Sequence, residues 1–259
     1  MDKDKINYGN WVPERLLKLL WSFTVIFAVL FVVNLIFWQK IVLTIIFALG
    51  TVILLVYSIL MTQMHHAFSF SGGGLMGKVH DYLLSKLNWN GQGTLVDIGC
   101  GSGALAIKCA KKYPEAKVQG IDYWGVIWDY AKEQCENNAK NENITNIEFK
   151  KDDAAHISYS DETFDAAVSN FVFHEVRTVL DKRKLVREAL RVVKKGGAFA
   201  FHDLFEAKNL YGDMSSFIED LKKEGISEIN YEPHTENLPF VPRYIKPMFK
   251  NMGIIYGVK

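Results

Sequence analysis

The chain has 259 residues, a formal net charge of +1 and 49% hydrophobic residues. That length admits one large domain or a domain with an appendage, and the balanced charge excludes an electrostatic footprint for nucleic acid. The three cysteines, Cys100, Cys109 and Cys135, form no C-x-x-C pair, which excludes a disulfide framework and a cysteine zinc site and indicates a reducing compartment.

The hydrophobic excess lies at the N-terminus. Leu16–Trp38 is apolar apart from Lys18, Ser22, Thr24 and Asn34, and Ile41–Met61 carries no charge. Each run is roughly 20 residues, enough for a helix to cross a ~30 Å hydrocarbon core. Only Gln39-Lys40 separates them, so the spacing predicts a transmembrane helical hairpin over 16–62, after a short segment 1–15 and before a linker 63–77. Trp11, Trp21 and Trp38 stand where interfacial aromatics anchor such helices. Lys3, Lys5, Arg15 and Lys18 lie before or at the start of the first run, whereas the turn holds only Lys40. The positive-inside bias puts the N-terminus in the cytoplasm, and two spans return residues 78–259 there. A hairpin dipping into one leaflet and a helical pair buried in a soluble core are the alternatives. A cleaved signal peptide does not fit, because the first run is too long and a second follows directly. The adjacent His65-His66 has no further ligand nearby in sequence, so no metal site is expected there.

Beyond the linker, Lys78–Leu87 has helical spacing. Strands are then predicted at Thr94–Ile98, Lys117–Ile121, Ile147–Lys150, Ala166–Ser169 and Ala198–His202, with helices at 103–112, 125–140 and 181–194 between them. The first two strands are nearly continuous apolar runs, which favours a parallel sheet covered on both faces. Gly196-Gly197 is read as the stop of the 181–194 helix. A helix near 213–223, a strand at 226–232 and a final strand at Ile254–Val258 complete the pattern.

The run Val96-Asp97-Ile98-Gly99-Cys100-Gly101-Ser102-Gly103 reads as a buried strand ending in an acid, a glycine loop and a helix start. Glycines let the backbone pass close to a ligand, and the helix start offers free N–H groups and a positive dipole end. A carboxylate beside that loop suits a ligand with a cationic amino acid part and a nucleoside better than a pyrophosphate. Asp97–Gly103 resembles the first motif of class I S-adenosylmethionine (SAM)-dependent methyltransferases, and the resemblance extends over about Leu75–Gly257. It implies a Rossmann-like, doubly wound α/β fold with a mostly parallel seven-stranded sheet, and SAM as cofactor. Gly99, Gly101 and Ala104 also satisfy the looser G-x-G-x-x-G/A dinucleotide fingerprint. A membrane-tethered NAD(P)-dependent oxidoreductase is therefore the second reading, and a non-catalytic SAM-binding module the third.

The resemblance also assigns roles. Asp97, Gly99, Cys100, Gly101 and Gly103 form the cofactor loop. Asp122, at the end of the second strand, accepts the ribose hydroxyls in SAM and NAD enzymes alike, with a helix N-cap as the alternative; from the residues themselves, Tyr123 and Trp124 are read as packing on adenine or substrate, or in the core. Asp153, directly before Ala154, matches the family's acidic-Ala motif, whose acid contacts the adenine amino group; paired aspartates also suit a surface turn. Ser169–Glu175 corresponds to the segment lining the methyl-transfer site, with Asn170 toward the cofactor. His174 is the general-base candidate and Glu175 its reserve, because an imidazole titrates near neutral pH; a histidine that merely bonds backbone is the alternative. His202 and Asp203 end the fifth strand on the same edge. The apolar, proline-broken stretch 238–249 is read as a flap over the substrate or a packed helix. The expected function is direct, SN2-like transfer of the SAM methyl group, without metal, to a small lipophilic acceptor that meets the enzyme at the bilayer. A quinone precursor, a lipid amine, a small thiol and a hydrophobic phenol all fit.

Overall fold

The structure is a computed structural model that describes residues 6–70, 74–125, 132–247 and 249–259. The chain divides into two compact units, Gly9–Gly77 and a second made of Lys78–Lys259 together with the N-terminal stretch up to Tyr8. Of the helix expected at 125–140, residues 126–131 lie outside the described residues.

In the first unit, α1 (Glu14–Val33) runs through a wide helical turn, Asn34–Trp38, and α2 (Ile41–Ala67) returns beside it. By length and composition Glu14–Trp38 and Ile41–Ala67 are both sufficient to cross a membrane. Their outward faces are bare hydrocarbon; Phe37 is 74% and Ile41 72% exposed. The buried polar groups Thr24, Asn34 and Ser58 are paired. Thr24 Oγ1 meets Ser58 Oγ at 3.0 Å, and Asn34 Nδ2 donates to Thr44 Oγ1 at 2.6 Å and to the Lys40 carbonyl at 3.2 Å. Such pairing is what helices need where water cannot satisfy them. The second helix continues to Ala67, so the first part of the expected linker is helical; residues 63–67 contain neither glycine nor proline to stop it. His65 Nδ1 lies 2.7 Å from the Val12 carbonyl oxygen.

In the second unit, α3 (Leu75–Lys86) precedes β1 (Thr94–Ile98), α4 (Ala104–Lys112), β2 (Lys117–Asp122), α5 (Lys132–Asn141), β3 (Ile147–Lys151), β4 (Phe164–Asn170), α6 (Arg183–Arg191) and β5 (Val193–Asp203). Then follow α7 (Lys208–Tyr211), α8 (Met214–Lys223), β6 (Glu228–Pro233) and β7 (Gly253–Val258). They form a seven-stranded sheet of order β3-β2-β1-β4-β5-β7-β6, parallel except for β7. Alternate strand residues feed two cores. Val96, Ile98, Phe199 and Phe201 face one side, and Leu95, Val118, Ala166 and Ala200 the other. This is why the central strands read as unbroken apolar runs.

Two local expectations change. The sixth helix stops at Arg191, and Gly196-Gly197 lie inside β5 instead of capping that helix. Gly196 takes φ +78° and donates its N–H to the Lys259 carbonyl at 2.6 Å, so the pair bends the edge of a long strand where β4 and β5 shift register. The described residues of the 238–249 stretch, 238–247 and 249, form no long helix; they are a series of turns whose Val241, Ile245 and Phe249 are buried.

The chain leaves β3 at one sheet edge and re-enters at β4 on the far side of β1. That reversal opens a crevice at the carboxyl ends of β1 and β4. Phe201, fully buried near the carboxyl end of β5 and flanked edge-on by Phe173, holds this region. Phe201→Ala is expected to lower the unfolding free energy of the full chain by about 3–5 kcal/mol. Denaturant unfolding in detergent measures it, and a loss near zero would show that this packing is not needed.

Candidate active site

The glycine loop joins β1 to α4. Gly99, Gly101 and Gly103 have φ of +75°, +54° and +84°. A side chain at Gly99 would collide with Val172 from the β4 segment as well as being strained. Asp97 lies 1% exposed at the end of β1, and its Oδ2 is buried without a hydrogen-bond partner. Burial, with the nearby Asp122 charge adding to it, pushes the Asp97 carboxyl up to about 8. An unpaired buried carboxylate is costly, so the site favours a cationic group against it. The ammonium of the SAM amino acid part is such a group.

Asp122, at the end of β2, is committed to the loop. Its Oδ2 accepts from Gly101 N at 2.8 Å and its Oδ1 from Trp124 N at 2.7 Å. Burial outweighs these bonds and raises its pKa. Trp124 Nε1 in turn donates to the Gly101 carbonyl at 2.9 Å, and the Cys135 thiol reaches the same oxygen at 3.1 Å. Cys100 is buried behind the loop, where burial and the Cys135 thiol push its own thiol up. Tyr123 is 61% exposed under the Lys151 ammonium, 5.0 Å from the ring centre. Asp152 N donates to the Asp122 carbonyl at 2.9 Å, which places the β3 end beside β2. There Asp153 Oδ1 accepts from Ala155 N at 2.8 Å and forms a tight turn with Ala154 half-buried at its tip.

At the ends of β4 and β5 the two sheet faces carry different chemistry. On one face, His174 Nδ1 lies 2.9 Å from Oδ1 of the fully buried Asp203, and its Nε2 lies 3.4 Å from Glu175 Oε1. Burial pulls the His174 pKa down, but the Asp203 hydrogen bond and charge, with that of Glu175, outweigh it and raise the value above 6.5. On the other face, His202 Nδ1 lies 3.0 Å from Asn170 Oδ1 and its Nε2 lies 2.8 Å from Thr235 Oγ1. Asn170 Nδ2 then reaches His80 Nε2 at 3.4 Å. Burial holds both His80 and His202 down to about 3, so both are neutral and the three contacts form one directed chain. Asn170 is thus bound between two histidines; a ligand would compete with them for its amide.

The structure brings Asp97, Gly99–Gly103 and Asp122 into one cluster, with Asp153-Ala154 on the neighbouring strand end and His174 with Asp203 across the β1–β4 crevice. Sequence reasoning missed His80, whose only mark is polarity within the apolar stripe of α3. It also missed Phe171, an aromatic residue held at φ +59° against His202 and Phe249. No signal in the sequence marks a left-handed phenylalanine, and such backbone is uncommon outside constrained sites.

A glycine loop at the β1 edge of a seven-stranded, mostly parallel sheet defines a Rossmann-like methyltransferase fold. The fold matches phosphoethanolamine N-methyltransferase 2 of Haemonchus contortus, solved with SAM, at a TM-score of 0.53 and 16% identity over 74% of this chain and 54% of that one. It also matches the [4+2]-cyclase SpnF at 0.51 and 20% identity over 69% and 78%. In sequence, residues 95–197 match the methyltransferase domain family. The ubiquinone/menaquinone biosynthesis C-methyltransferase of Rickettsia prowazekii is 34% identical over 119 residues, 44% of this chain and 45% of that protein. The arsenite methyltransferase of Halobacterium salinarum is 25% identical over 166 residues, 57% of this chain and 41% of that one. The chain therefore spans less than half the length of these relatives. It carries a class I SAM-dependent methyltransferase domain, and SAM is the cofactor; the dinucleotide reading of the glycine loop falls away.

Because Asp97 keeps its proton up to about pH 8, SAM binding at pH 7 is expected to release a proton. Calorimetry in two buffers of different ionisation enthalpy measures this, and equal enthalpies in both would refute it. Asp97→Asn is expected to weaken SAM binding by roughly tenfold to a hundredfold.

Proposed function

We propose that this protein transfers the SAM methyl group to a small lipophilic acceptor whose proton His174 removes, on a domain tethered to the membrane by the α1–α2 hairpin. The observation that carries the reading is the Asp203–His174 pair at the carboxyl ends of β4 and β5, across the crevice from the cofactor loop. When bound, SAM supplies an electrophilic methyl group on a sulfonium.

The chain's own residues do the rest. Asp97 and the glycine loop hold the amino acid end, with Asp122 setting the loop's shape. Asp203 fixes the His174 ring by its Nδ1 and leaves Nε2 as the group that accepts a proton, with Glu175 beside it. A base of this kind suits an O–H, S–H or acidic C–H acceptor, and contributes typically 10²–10⁴-fold. Phe171, Phe249 and Ile245 wall the edge with hydrocarbon, which suits an apolar acceptor. Two relatives at 34% and 33% identity act in quinone biosynthesis, a ubiquinone/menaquinone C-methyltransferase and a demethylmenaquinone methyltransferase, and they support a quinol-like acceptor. The exposed hydrocarbon of α1 and α2 supports a bilayer location, with residues 78–259 on the cytoplasmic side by the lysine and arginine bias.

The pH dependence has a definite sign. With a folded-state pKa above 6.5, His174 is protonated and idle as a base at lower pH. The kcat/KM for the acceptor is expected to rise as pH climbs through that value. The stability lent by the Asp203–His174 pair runs the other way: full below about 6.5 and lost as pH rises through the raised value. His174→Ala is expected to cut turnover about 10²-fold or more with SAM affinity unchanged. A radiolabelled-methyl assay on a quinol acceptor checks this, and full activity of the variant would remove His174 from the mechanism. The full chain is also expected to stay with membranes through an alkaline carbonate wash, and release into the supernatant would overturn the tether.

A further inference from the structure

The residues just before the first apolar helix belong to the methyltransferase unit, and they lie against the back of the cofactor loop. Ser102, 4% exposed within that loop, donates its Oγ to the Tyr8 carbonyl at 2.8 Å. Asn138 of α5 is 1% exposed and ties the two strands of chain together. Its Nδ2 donates to the Asn7 carbonyl at 2.9 Å and to the Ser102 carbonyl at 3.0 Å, while its Oδ1 accepts from Asn7 N at 2.8 Å. Gln134 Nε2 adds a second bond to the Asn7 carbonyl at 2.6 Å, and the Tyr8 hydroxyl meets Glu142.

We infer that Asn7 and Tyr8 form a strap that positions the SAM loop. Glycines at 99, 101 and 103 leave the loop soft, because each gives up the restraint of a side chain. Something must hold it in the binding shape. Asp122 and Trp124 hold Gly101, and Cys135 shares its carbonyl. Ser102 is held only by Asn138 and by the strap among the contacts described. Removing the strap strips Ser102 of its hydroxyl partner and leaves Asn138, which is buried, with one acceptor fewer and one donor lost. Asn7 and Tyr8 do not contact the bound cofactor in this reading; their backbone acts through Asn138 and Ser102, and they are positioning residues. The strap runs directly into Gly9 and the helix that starts at Glu14, so the stretch that tethers the protein also shapes the cofactor loop.

This rests on the SAM-loop reading above. The test is calorimetric titration of SAM and S-adenosylhomocysteine into the full chain in detergent, comparing the intact protein, a deletion of residues 2–8, Ser102→Ala and the combination. The deletion is expected to raise the SAM Kd about tenfold or more, and Ser102→Ala about threefold to fivefold. If Ser102 acts through the strap, the combination is no worse than the deletion alone. The ligand-free unfolding transition should move little, which separates loop positioning from general loss of structure. Should the deletion fail to fold, Asn7→Pro, which removes the N–H donated to Asn138, takes its place in the same cycle. Unchanged SAM affinity in the deletion, or fully additive losses in the combination, would overturn the strap while leaving the loop reading intact. An intact chain that bound no SAM would overturn both.

Discussion

A carboxylate buried at the end of β1, with one oxygen left unbonded, governs the rest of the site. Water cannot reach Asp97, and its nearest charged neighbour is another acid, Asp122. Removing a carboxylate from water costs several kcal/mol unless a cation or hydrogen bonds replace the lost hydration. The fold therefore keeps Asp97 protonated until a cationic group arrives. The loop itself holds its shape through contacts made behind it, from Asp122, Trp124, Cys135, Asn138 and the N-terminal strap.

The carboxyl ends of β4 and β5 illustrate how one residue of register separates two roles. Consecutive residues of a strand point to opposite faces. His202 and Asp203 therefore serve different networks. Asp203 turns to the face of His174 and raises its pKa. His202 turns to the other face, where burial outweighs the Asp203 and Glu232 charges and keeps it neutral. Two histidines near one sheet edge thus have their pKa values driven in opposite directions. The His202 network links α3, through His80, to the turns after β6, through Thr235, and it orients the Asn170 amide between them.

The hairpin unit obeys a different solvent rule. Its hydroxyls and its buried asparagine are paired between or within the helices, while leucine, isoleucine, valine and phenylalanine cover the outside. By length and composition both helices are sufficient to cross a membrane.

Much of this was determined by the sequence alone. Two apolar runs, an acid before three alternating glycines, and strands alternating with helices are local patterns, and each reflects a rule that acts within a few residues. They were enough to read the class of fold and the cofactor. The exceptions were decided by tertiary structure. Gly196-Gly197 looked like a helix stop because glycine suits both a cap and a bend, and only pairing with β4 and Lys259 made it part of β5. The partner of His174 depends on strand register, which brings Asp203 beside it across 29 positions of chain. Asn170 met two histidines from distant elements, and Asn7 and Tyr8 met the loop at Ser102 from 94 positions away. Contacts at such separations leave no periodic trace, because they are fixed by how the elements pack and not by the spacing of residues along any one of them.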